Sequence, residues 1–254
     1  MIHRTVIIDK TAVIGTNVDI GAYTVIGKDV VIGDETIIGS NVYIEYAEIG
    51  RNCKIYHSAS IGTAPQDLSY KGEPSRVYVG DGTVAREFVT FNRGSIKTEK
   101  TIIGKNCYFM ASSHIAHDCR VGDSVIMANC SAAAGHVEIG DNTFISATVG
   151  IVQFSKIGKG AMVGSGATVT MDIIPYVLSA GYRAVPNGLN LTSMRRRQMP
   201  IEEINAVKSS YRILFMSKLI LKDALLELEQ SKSIAVQEIV TFIKNSKRGI
   251  ARPK

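Results

Sequence analysis

Residues 8–44 read IDKTAVIGTNVDIGAYTVIGKDVVIGDETIIGSNVYI, and the spacing within this stretch decides the fold. An isoleucine stands at every sixth position from Ile8 to Ile44, and glycine follows five of the seven isoleucines. The spacing returns at Ile49 and later holds twelve times in a row, from Ile103 to Val169. Neither an α-helix nor a flat strand keeps one apolar residue at every sixth position, whereas hexapeptide repeats are typical of a parallel β-helix. Three hexapeptides would form one coil of eighteen residues, so residue i should stack on residue i+18.

Two polar segments interrupt the repeats. Residues 63–76 read TAPQDLSYKGEPSR, and residues 93–100 read RGSIKTEK. We call them the first and second insertions. Loops that leave a rigid scaffold are favoured places for binding residues, so both insertions are candidate parts of a site.

The repeats stop near Pro175, and a different pattern follows Pro200. Apolar residues at spacings of three and four predict a helix that begins at Pro200. Two further helices are predicted over 221–229 and 234–244, with Ser233 as the N-cap of the last. We therefore predict a β-helix over residues 1–190 and a small helical domain over residues 191–254 that covers the end of the prism.

The composition favours a soluble cytoplasmic protein. The net charge of +6 and the pI of about 9.1 suit either an anionic partner or a solvated basic surface. The chain has no apolar run long enough to span a membrane and no signal-peptide pattern. Its four cysteines show no CxxC spacing, which predicts reduced thiols. We expect no nucleic-acid partner and no tightly held cofactor.

The densest reactive cluster is SHIAHDC at 113–119, with His136 just beyond. The stacking rule places His117 beneath Gly135 and Gln153, and it places Asp118 beneath His136. Because Ile115 follows the six-residue spacing and points inward, these polar side chains should gather on one wall over three successive coils, facing solvent or a partner chain.

This grouping predicts general-base chemistry. A carboxylate beside a histidine fixes the imidazole tautomer and raises its basicity, so His117 with Asp118 is a candidate base. Gly135 could bring its backbone N–H close to a developing oxyanion. The alternative for any one of these residues is a surface side chain with a local hydrogen bond.

A zinc site is a second alternative. His114, His117 and His136 could form a three-histidine zinc site, as in hexapeptide enzymes of the γ-class carbonic anhydrase type. The spacing here is H-x2-H, then eighteen intervening residues and a third histidine, which departs from the H-x4-H with a third histidine far upstream in those enzymes.

The motifs resemble a specific family, the acyl-carrier-protein–UDP-N-acetylglucosamine 3-O-acyltransferases, which catalyse the first step of lipid A synthesis. The resemblance spans nearly the whole chain. Its motifs are PQDLSYKGEPS (65–75), SHIAHDC (113–119), AAGHVEIG (133–140), GIVQFSKIG (150–158), GLN (188–190) and MRRRQ (194–198). The resemblance implies a left-handed β-helix and a homotrimer with active sites in clefts between neighbouring prisms.

The resemblance also implies roles for individual residues. His117 would be the general base, Asp118 would orient it, and Gly135 would supply the oxyanion N–H. The implied substrate-binding residues are Gln66, Asp67, His114, His136, Gln153, Asn190, Arg196 and Arg197. Ser165 matches the position that sets acyl-chain length, and the stacking rule places it between Ala147 and Arg183.

The chain departs from the family pattern at several positions, which are Ser69, Asn92, Val152, Tyr182, Arg183 and Thr192. The first of these removes a lysine expected to help hold the sugar nucleotide. The departures leave the base intact, but they leave open whether the acceptor carries a 3-hydroxyl or a 3-amino group.

The sequence therefore predicts transfer of a 3-hydroxyacyl chain from acyl carrier protein to the 3-position of UDP-N-acetylglucosamine. Three rivals stay open: a sister N-acyltransferase, a zinc lyase and a non-catalytic scaffold. The first should have a separate N-terminal uridine-binding domain, for which a repeat that starts at Ile8 leaves no room. The His117–Asp118 pair argues against a scaffold.

Overall fold

The structure is a computed structural model that describes residues 1–253, in which 27 short strands are followed by four helices. The strands form three flat walls of a prism, and the chain visits the walls in turn. The first wall contains Ile7–Ile8, Val25–Ile26, Tyr43–Ile44, Ser60–Thr63, Thr90–Asn92, His114–Ile115, Ala132–Ala133, Gly150–Ile151 and Thr168–Val169. The second wall contains Val13–Ile14, Val31–Ile32, Ala47–Ile49, Arg76–Val79, Lys100–Ile103, Arg120–Val121, Glu138–Ile139 and Lys156–Ile157. The third wall contains Asp19–Ile20, Ile37–Ile38, Lys54–Ile55, Val84–Ala85, Tyr108–Phe109, Ile126–Met127, Phe144–Ile145, Met162–Val163, Val177–Ala180 and Val185–Leu189.

Parallel pairing follows the predicted stacking rule over most of the prism. Ile26 pairs with Ile44, and Ile115 pairs with Ala133, each eighteen residues apart. Between Ile61 and its partner Phe91 the first insertion raises the separation to thirty residues, yet the inward positions stay aligned. The insertion therefore leaves the prism without shifting the register of the coils above it.

The hexapeptide places two kinds of side chain inside the prism. From Ile20 onward the apolar residue of each hexapeptide is buried, and a small residue two positions earlier fills the corner beside it. Cys53, Cys107 and Cys119 take this small-residue position, whereas Cys130 is exposed, and all four are free thiols. Burial raises the pKa of the Cys107 thiol to about 11, which keeps it protonated and unreactive at neutral pH.

The end of the prism differs from its middle. Strand Val177–Ala180 pairs antiparallel with Val185–Leu189, and the helices follow: α1 (Leu191–Arg196), α2 (Ile201–Phe215), α3 (Leu221–Glu229) and α4 (Ile234–Lys244). The bounds of α3 and α4 match the prediction, and Ser233 caps α4 by accepting a hydrogen bond from the N–H of Val236. Helix α1 was missed because six residues are too few to show helical spacing.

Side-chain contacts dock the helices on the prism. Lys159 Nζ lies 2.5 Å from Glu238 Oε1 of α4, and the Tyr176 hydroxyl donates to the same carboxylate. The predicted division at residue 190 stays a prediction, although the last strand ends at Leu189 and α1 begins at Leu191. Within residues 1–253, no helix has the length and apolar character needed to cross a membrane.

Candidate active site

The predicted catalytic cluster lies on the corner between the first and second walls. The chain turns this corner between strands His114–Ile115 and Arg120–Val121, and Asp118 takes a left-handed backbone conformation (φ 60°). His136 and Phe154 occupy the same corner on the next two coils with φ of 60° and 65°. We call this stack of turns the catalytic corner. The stacking rule predicted correctly that His117, Asp118, Gly135, His136 and Gln153 lie together on three successive coils. It placed them on one wall, however, whereas the structure places them at a corner between two walls.

His117 and Asp118 form an oriented pair. The imidazole Nδ1 lies 2.7 Å from Asp118 Oδ2, and the two side chains are 8% and 0% exposed. A carboxylate can only accept a hydrogen bond from this position, so Nδ1 carries the proton and Nε2 keeps its lone pair. The pair therefore presents one free basic nitrogen, as a general base requires.

Asp118 is itself held by three further hydrogen bonds. Its Oδ1 accepts from the backbone N–H of Ser95 at 3.0 Å and from the hydroxyl of Thr98, and its own N–H donates to Thr101 Oγ1 at 2.9 Å. Burial opposes ionisation of Asp118, but the hydrogen bonds from His117, Thr98 and Ser95 outweigh burial and hold the pKa below its ordinary range. The second insertion thus supplies two of the donors that keep this carboxylate charged.

Gly135 has a steric reason for lacking a side chain. A Cβ atom at this position would lie 2.5 Å from Cε1 and 2.6 Å from Nε2 of His117. The imidazole therefore occupies the space above Gly135, with Nε2 directed along that face. Within residues 1–253 the backbone N–H of Gly135 donates no hydrogen bond, so it remains available to a ligand. The sequence suggested the available N–H of Gly135, but it did not suggest the steric contact with His117.

His136 packs against both members of the pair, the Asp118 carboxylate and the His117 ring. Its Nε2 lies 3.5 Å from Asp118 Oδ2, and its ring meets that of His117 edge to face, with centroids 5.3 Å apart. The Phe154 ring stacks on its other face at 4.6 Å. Burial lowers the pKa of His136 while the charge of Asp118 opposes that shift, so a neutral ring is favoured. The Gln153 side chain, half-buried on the same coil as Phe154, makes no hydrogen bond to any described residue.

His114 lies one turn earlier, on the first wall. Its Nδ1 is 2.7 Å from the hydroxyl of Thr90, the residue paired with it on the neighbouring strand. Burial lowers the pKa of this imidazole. His114 is therefore fixed as a neutral, half-buried ring that does not contact Asp118.

The first insertion carries Gln66 and Asp67 beside the catalytic corner. Gln66 is exposed and Asp67 is half-buried. Asp67 Oδ1 accepts from the N–H of Ser69 at 2.9 Å and from its hydroxyl at 2.8 Å. These bonds from Ser69, and to a lesser degree the charges of His117 and Lys97, lower the pKa of Asp67. The departure at Ser69 thus replaces an expected lysine by a residue that fixes this aspartate.

Arg93 anchors the first insertion, and sequence reasoning missed it. This buried guanidinium donates to Glu45 Oε1 at 2.9 Å, to the carbonyl of Gly62 at 2.8 Å and to the Tyr70 hydroxyl at 3.1 Å. It also lies 4.5 Å from the ring centre of Tyr46 and 5.5 Å from that of Tyr70. Its partners come from three distant segments, so no local motif signals the role.

The predicted uridine and phosphate residues lie elsewhere on this chain. Asn190 caps α1 by accepting from the N–H of Ser193 at 3.2 Å, and its Nδ2 donates to the carbonyl of Gly160 at 3.0 Å. Arg196 is exposed, whereas Arg197 is half-buried and packs near Gly160. All three line a groove of about 790 Å³ along the third wall, and none of its lining residues belongs to the catalytic corner.

Ser165 lies on a third corner and is exposed. Here the stacking rule fails, because Val163 pairs with Ser179, only sixteen residues on. A Cβ atom on Gly164 would lie 3.1 Å from that of Ala180, so Gly181 rather than Arg183 aligns with Ser165. The predicted stack on Arg183 is therefore wrong, since this coil has sixteen residues instead of the eighteen that the stacking rule assumes.

The catalytic corner also brings together three side chains that could in principle hold a metal ion. The donor atoms of His117, Asp118 and His136 lie within 4.8 Å of one another. The Nδ1–Oδ2 distance of 2.7 Å is that of a hydrogen bond, whereas two ligands of one tetrahedral zinc stand about 3.3 Å apart for bonds of about 2.0 Å. His114 is engaged with Thr90 instead. The structure does not assemble the three-histidine set, and the geometry fits an oriented base better than a zinc ligand set.

The prism of hexapeptide coils, together with the oriented histidine, is typical of the hexapeptide transferases. The family model described as bacterial transferase hexapeptide (six repeats) matches residues 11–46, 100–132 and 136–170. A second family model, UDP-N-acetylglucosamine O-acyltransferase domain 2, matches residues 172–251.

Comparison with individual proteins narrows the class. The acyl-[acyl-carrier-protein]–UDP-N-acetylglucosamine O-acyltransferase of Aliarcobacter butzleri is 45% identical over 252 residues, covering 98% of this chain and 97% of that protein. The solved UDP-N-acetylglucosamine O-acyltransferase from Moraxella catarrhalis matches with a TM-score of 0.97 and 40% identity over 99% of both chains. The acyltransferase structure from Bacteroides fragilis matches with a TM-score of 0.96 and 38% identity over 99% of this chain and 100% of that one.

The chain belongs to the acyl-[acyl-carrier-protein]–UDP-N-acetylglucosamine O-acyltransferase family. The predicted family is thereby confirmed, as is the predicted fold class, a left-handed parallel β-helix with C-terminal helices.

Proposed function

We propose that the protein transfers a 3-hydroxyacyl chain from acyl carrier protein to the 3-position of UDP-N-acetylglucosamine, the first step of lipid A synthesis. The observation that carries this proposal is the His117–Asp118 pair with Nε2 directed over Gly135. Family membership supplies the substrate class, and the corner supplies a base suited to the reaction.

The proposed chemistry is a direct transfer. Nε2 of His117 accepts the proton of the sugar hydroxyl while the hydroxyl oxygen bonds to the thioester carbonyl carbon. The N–H of Gly135 stabilises the resulting oxyanion. When the intermediate collapses, the carbon–sulfur bond breaks, and the proton on Nε2 passes to the departing sulfur. Asp118 remains a carboxylate throughout, because its hydrogen bonds keep its pKa low.

Acceptor binding is assigned to the residues around the base. Asp67 and Gln66 on the first insertion face the sugar, and His114, His136 and Gln153 line the rest of the corner. Two of these are neutral rings in fixed positions, which suits recognition of hydroxyl and carbonyl groups rather than anions.

Assembly as a homotrimer would complete the site. Asn190, Arg196 and Arg197 border a separate groove on the third wall, so within one chain they cannot meet a nucleotide held at the catalytic corner. A neighbouring prism packed against this corner would bring its own third-wall groove to the uridine and phosphates. Guanidinium groups match phosphate geometry.

The carrier protein is proposed to dock on the basic C-terminal segment. Arg195 and Arg196 are exposed at the last turn of α1, where cations also favour the helix dipole. An acidic carrier would be attracted to this surface. We also propose a cytoplasmic location, where an acyl carrier protein and a UDP-sugar would both reach the enzyme.

The test is mass spectrometry of products from purified protein with mixed 3-hydroxyacyl carrier donors and both acceptors, UDP-N-acetylglucosamine and its 3-amino analogue. We expect an O-acylated UDP-sugar from wild type and at least about 10²-fold less of it from His117→Ala in the same time. Acylation of the 3-amino sugar alone would correct the acceptor. Absence of acyl transfer to either sugar would refute the proposal.

A further inference from the structure

The C-terminal strap, residues 246–251, returns from α4 to the prism and ends at a buried carboxylate. Ser246 Oγ donates to Asp172 Oδ2 at 2.6 Å, while the N–H of Asp172 donates to the carbonyl of Gly249 at 3.0 Å and its carbonyl accepts from the N–H of Ala251 at 2.8 Å. Asp172 is 1% exposed, and its other oxygen accepts from the N–H of Lys156 at 2.8 Å. These bonds fix the strap firmly against the second wall.

From this anchor, Arg248 reaches sideways to the catalytic corner. Its Nη2 donates to the carbonyl of Gln153 at 2.7 Å, and its Nη1 donates to the carbonyl of Thr170 at 3.2 Å. The two carbonyls belong to successive coils. One guanidinium therefore joins the last two turns of the corner, a geometry that its planar fork allows and a lysine cannot reproduce.

The contacts continue from Gln153 to the base. Phe154, the next residue, stacks on His136, whose Nε2 lies 3.5 Å from Asp118. Asp118 in turn holds His117. The Phe154 ring stacks on His136, and His136 lies beside Asp118. A shift of the Gln153–Phe154 turn would therefore move His136 relative to the carboxylate that orients His117.

We propose that Arg248 is a positioning residue for the catalytic corner: by holding the carbonyls of Gln153 and Thr170, it sets the place of the Phe154–His136 stack behind Asp118. This inference rests on the function proposed above, because it assigns Arg248 a part in orienting His117. A positive charge on the strap is not sufficient to make these contacts. Lys247 and Arg248 are both exposed, but Lys247 makes no hydrogen bond or ion pair to the prism among residues 1–253, whereas Arg248 donates to two carbonyls.

The experiment compares full-length Arg248→Ala, Arg248→Lys and the matched control Lys247→Ala. Turnover and KM for the UDP-sugar are measured, and the reactivity of each histidine toward diethylpyrocarbonate is followed by peptide mass spectrometry. We expect kcat of Arg248→Ala to fall about tenfold with little change in KM, as for a misplaced catalytic group. Arg248→Lys should be intermediate, and Lys247→Ala should match wild type. Millimolar guanidinium should partly restore kcat of Arg248→Ala.

The histidine reactivities separate positioning from general stability. In Arg248→Ala, His136 should react several times faster, whereas the exposed His57, on a distant coil, should be unchanged. Equal kcat and equal His136 reactivity in Arg248→Ala and Lys247→Ala would overturn the inference. So would increased reactivity at all buried histidines, which would assign Arg248 to fold stability alone. If wild type transfers no acyl chain, the proposed function fails, and His136 reactivity still reports whether the contact positions the corner.

Discussion

The catalytic corner and the Ser165 corner use the same hexapeptide turn in different ways. At the catalytic corner successive coils are eighteen residues apart, and His117 and Asp118 are buried and fixed by hydrogen bonds. At the Ser165 corner the separation falls to sixteen, and Ser165 and Gly166 are exposed. Constant register and burial place reacting groups accurately within one chain. An open corner of small residues leaves space that a substrate or a second chain can fill.

The largest effect should come from the base. His117→Ala should lower turnover by at least about 10²–10⁴-fold, the usual contribution of a general base. The fold should survive, because the imidazole lies outside the aliphatic core. Steady-state kinetics on protein checked by circular dichroism would measure the loss. Near-full activity in a folded variant would show that His117 is not the base, and the catalytic corner would then lack the reacting group that distinguishes it from the Ser165 corner.

Asp118→Asn should have the next largest effect, about 10²–10³-fold in kcat. The amide would present an N–H to Nδ1 of His117 and favour the wrong tautomer. Steady-state kinetics would measure the loss, and an unchanged kcat would contradict the orienting role of Asp118.

The low pKa of Asp118 also has a consequence for the stability of wild type. Its stabilising interactions are present above the ordinary aspartate pKa of about 3.9 and are lost as pH falls through the lower folded-state pKa. Acid unfolding of wild type and variant, followed by circular dichroism, should therefore converge at low pH; a constant gap would contradict this.

Gly135→Ala tests the steric part of the corner. Its Cβ would displace the imidazole, and a shift of about 1 Å can cost roughly 10²-fold in rate. Gly150→Ala is the matched control, because a Cβ there meets nothing within 4 Å. Similar kcat values for the two alanine variants would show that the space over Gly135 is not limiting.

Ser165→Met tests whether the Ser165 corner sets the length of the acyl chain. The acyl chain is proposed to run past Ser165, so the larger side chain should shorten the groove. Each methylene left unburied loses about 0.8 kcal/mol, or roughly a fourfold preference per carbon. Competition among donors of different length should therefore shift toward shorter chains, with UDP-sugar KM unchanged. Identical donor profiles would place the length determinant elsewhere, with Gly181 the next position to change.

The smallest effect is expected at the exposed cations of α1. Carrier affinity should weaken as salt rises, because exposed charges act through screened, long-range attraction. Arg195→Ala with Arg196→Ala should reduce that salt dependence. Binding of the carrier protein measured from low to high salt would check this, and a flat profile would leave these arginines as a solvated surface.

Six-residue spacing was enough to predict the walls and the stacking partners of His117, and the different, helical pattern after Pro200 predicted α3 and α4. It worked where a coil has eighteen residues, because sequence separation then translates directly into spatial neighbours. It failed at Ser165, where the coil has only sixteen residues and the repeats are about to stop near Pro175. Arg93 and Arg248 were not predicted, because their partners are backbone carbonyls and rings brought together only by folding. Handedness came from the family resemblance rather than from the spacing.

The central claim is that His117 takes the acceptor proton, and the pH dependence of single-turnover acyl transfer tests it most directly. Below the range in which histidine is neutral, wild type should slow tenfold per pH unit, because a protonated imidazole cannot accept a proton. His117→Ala, measured under the same conditions, should show a residual rate without this acidic decline. The same decline in His117→Ala would show that another group is the base and would contradict the account.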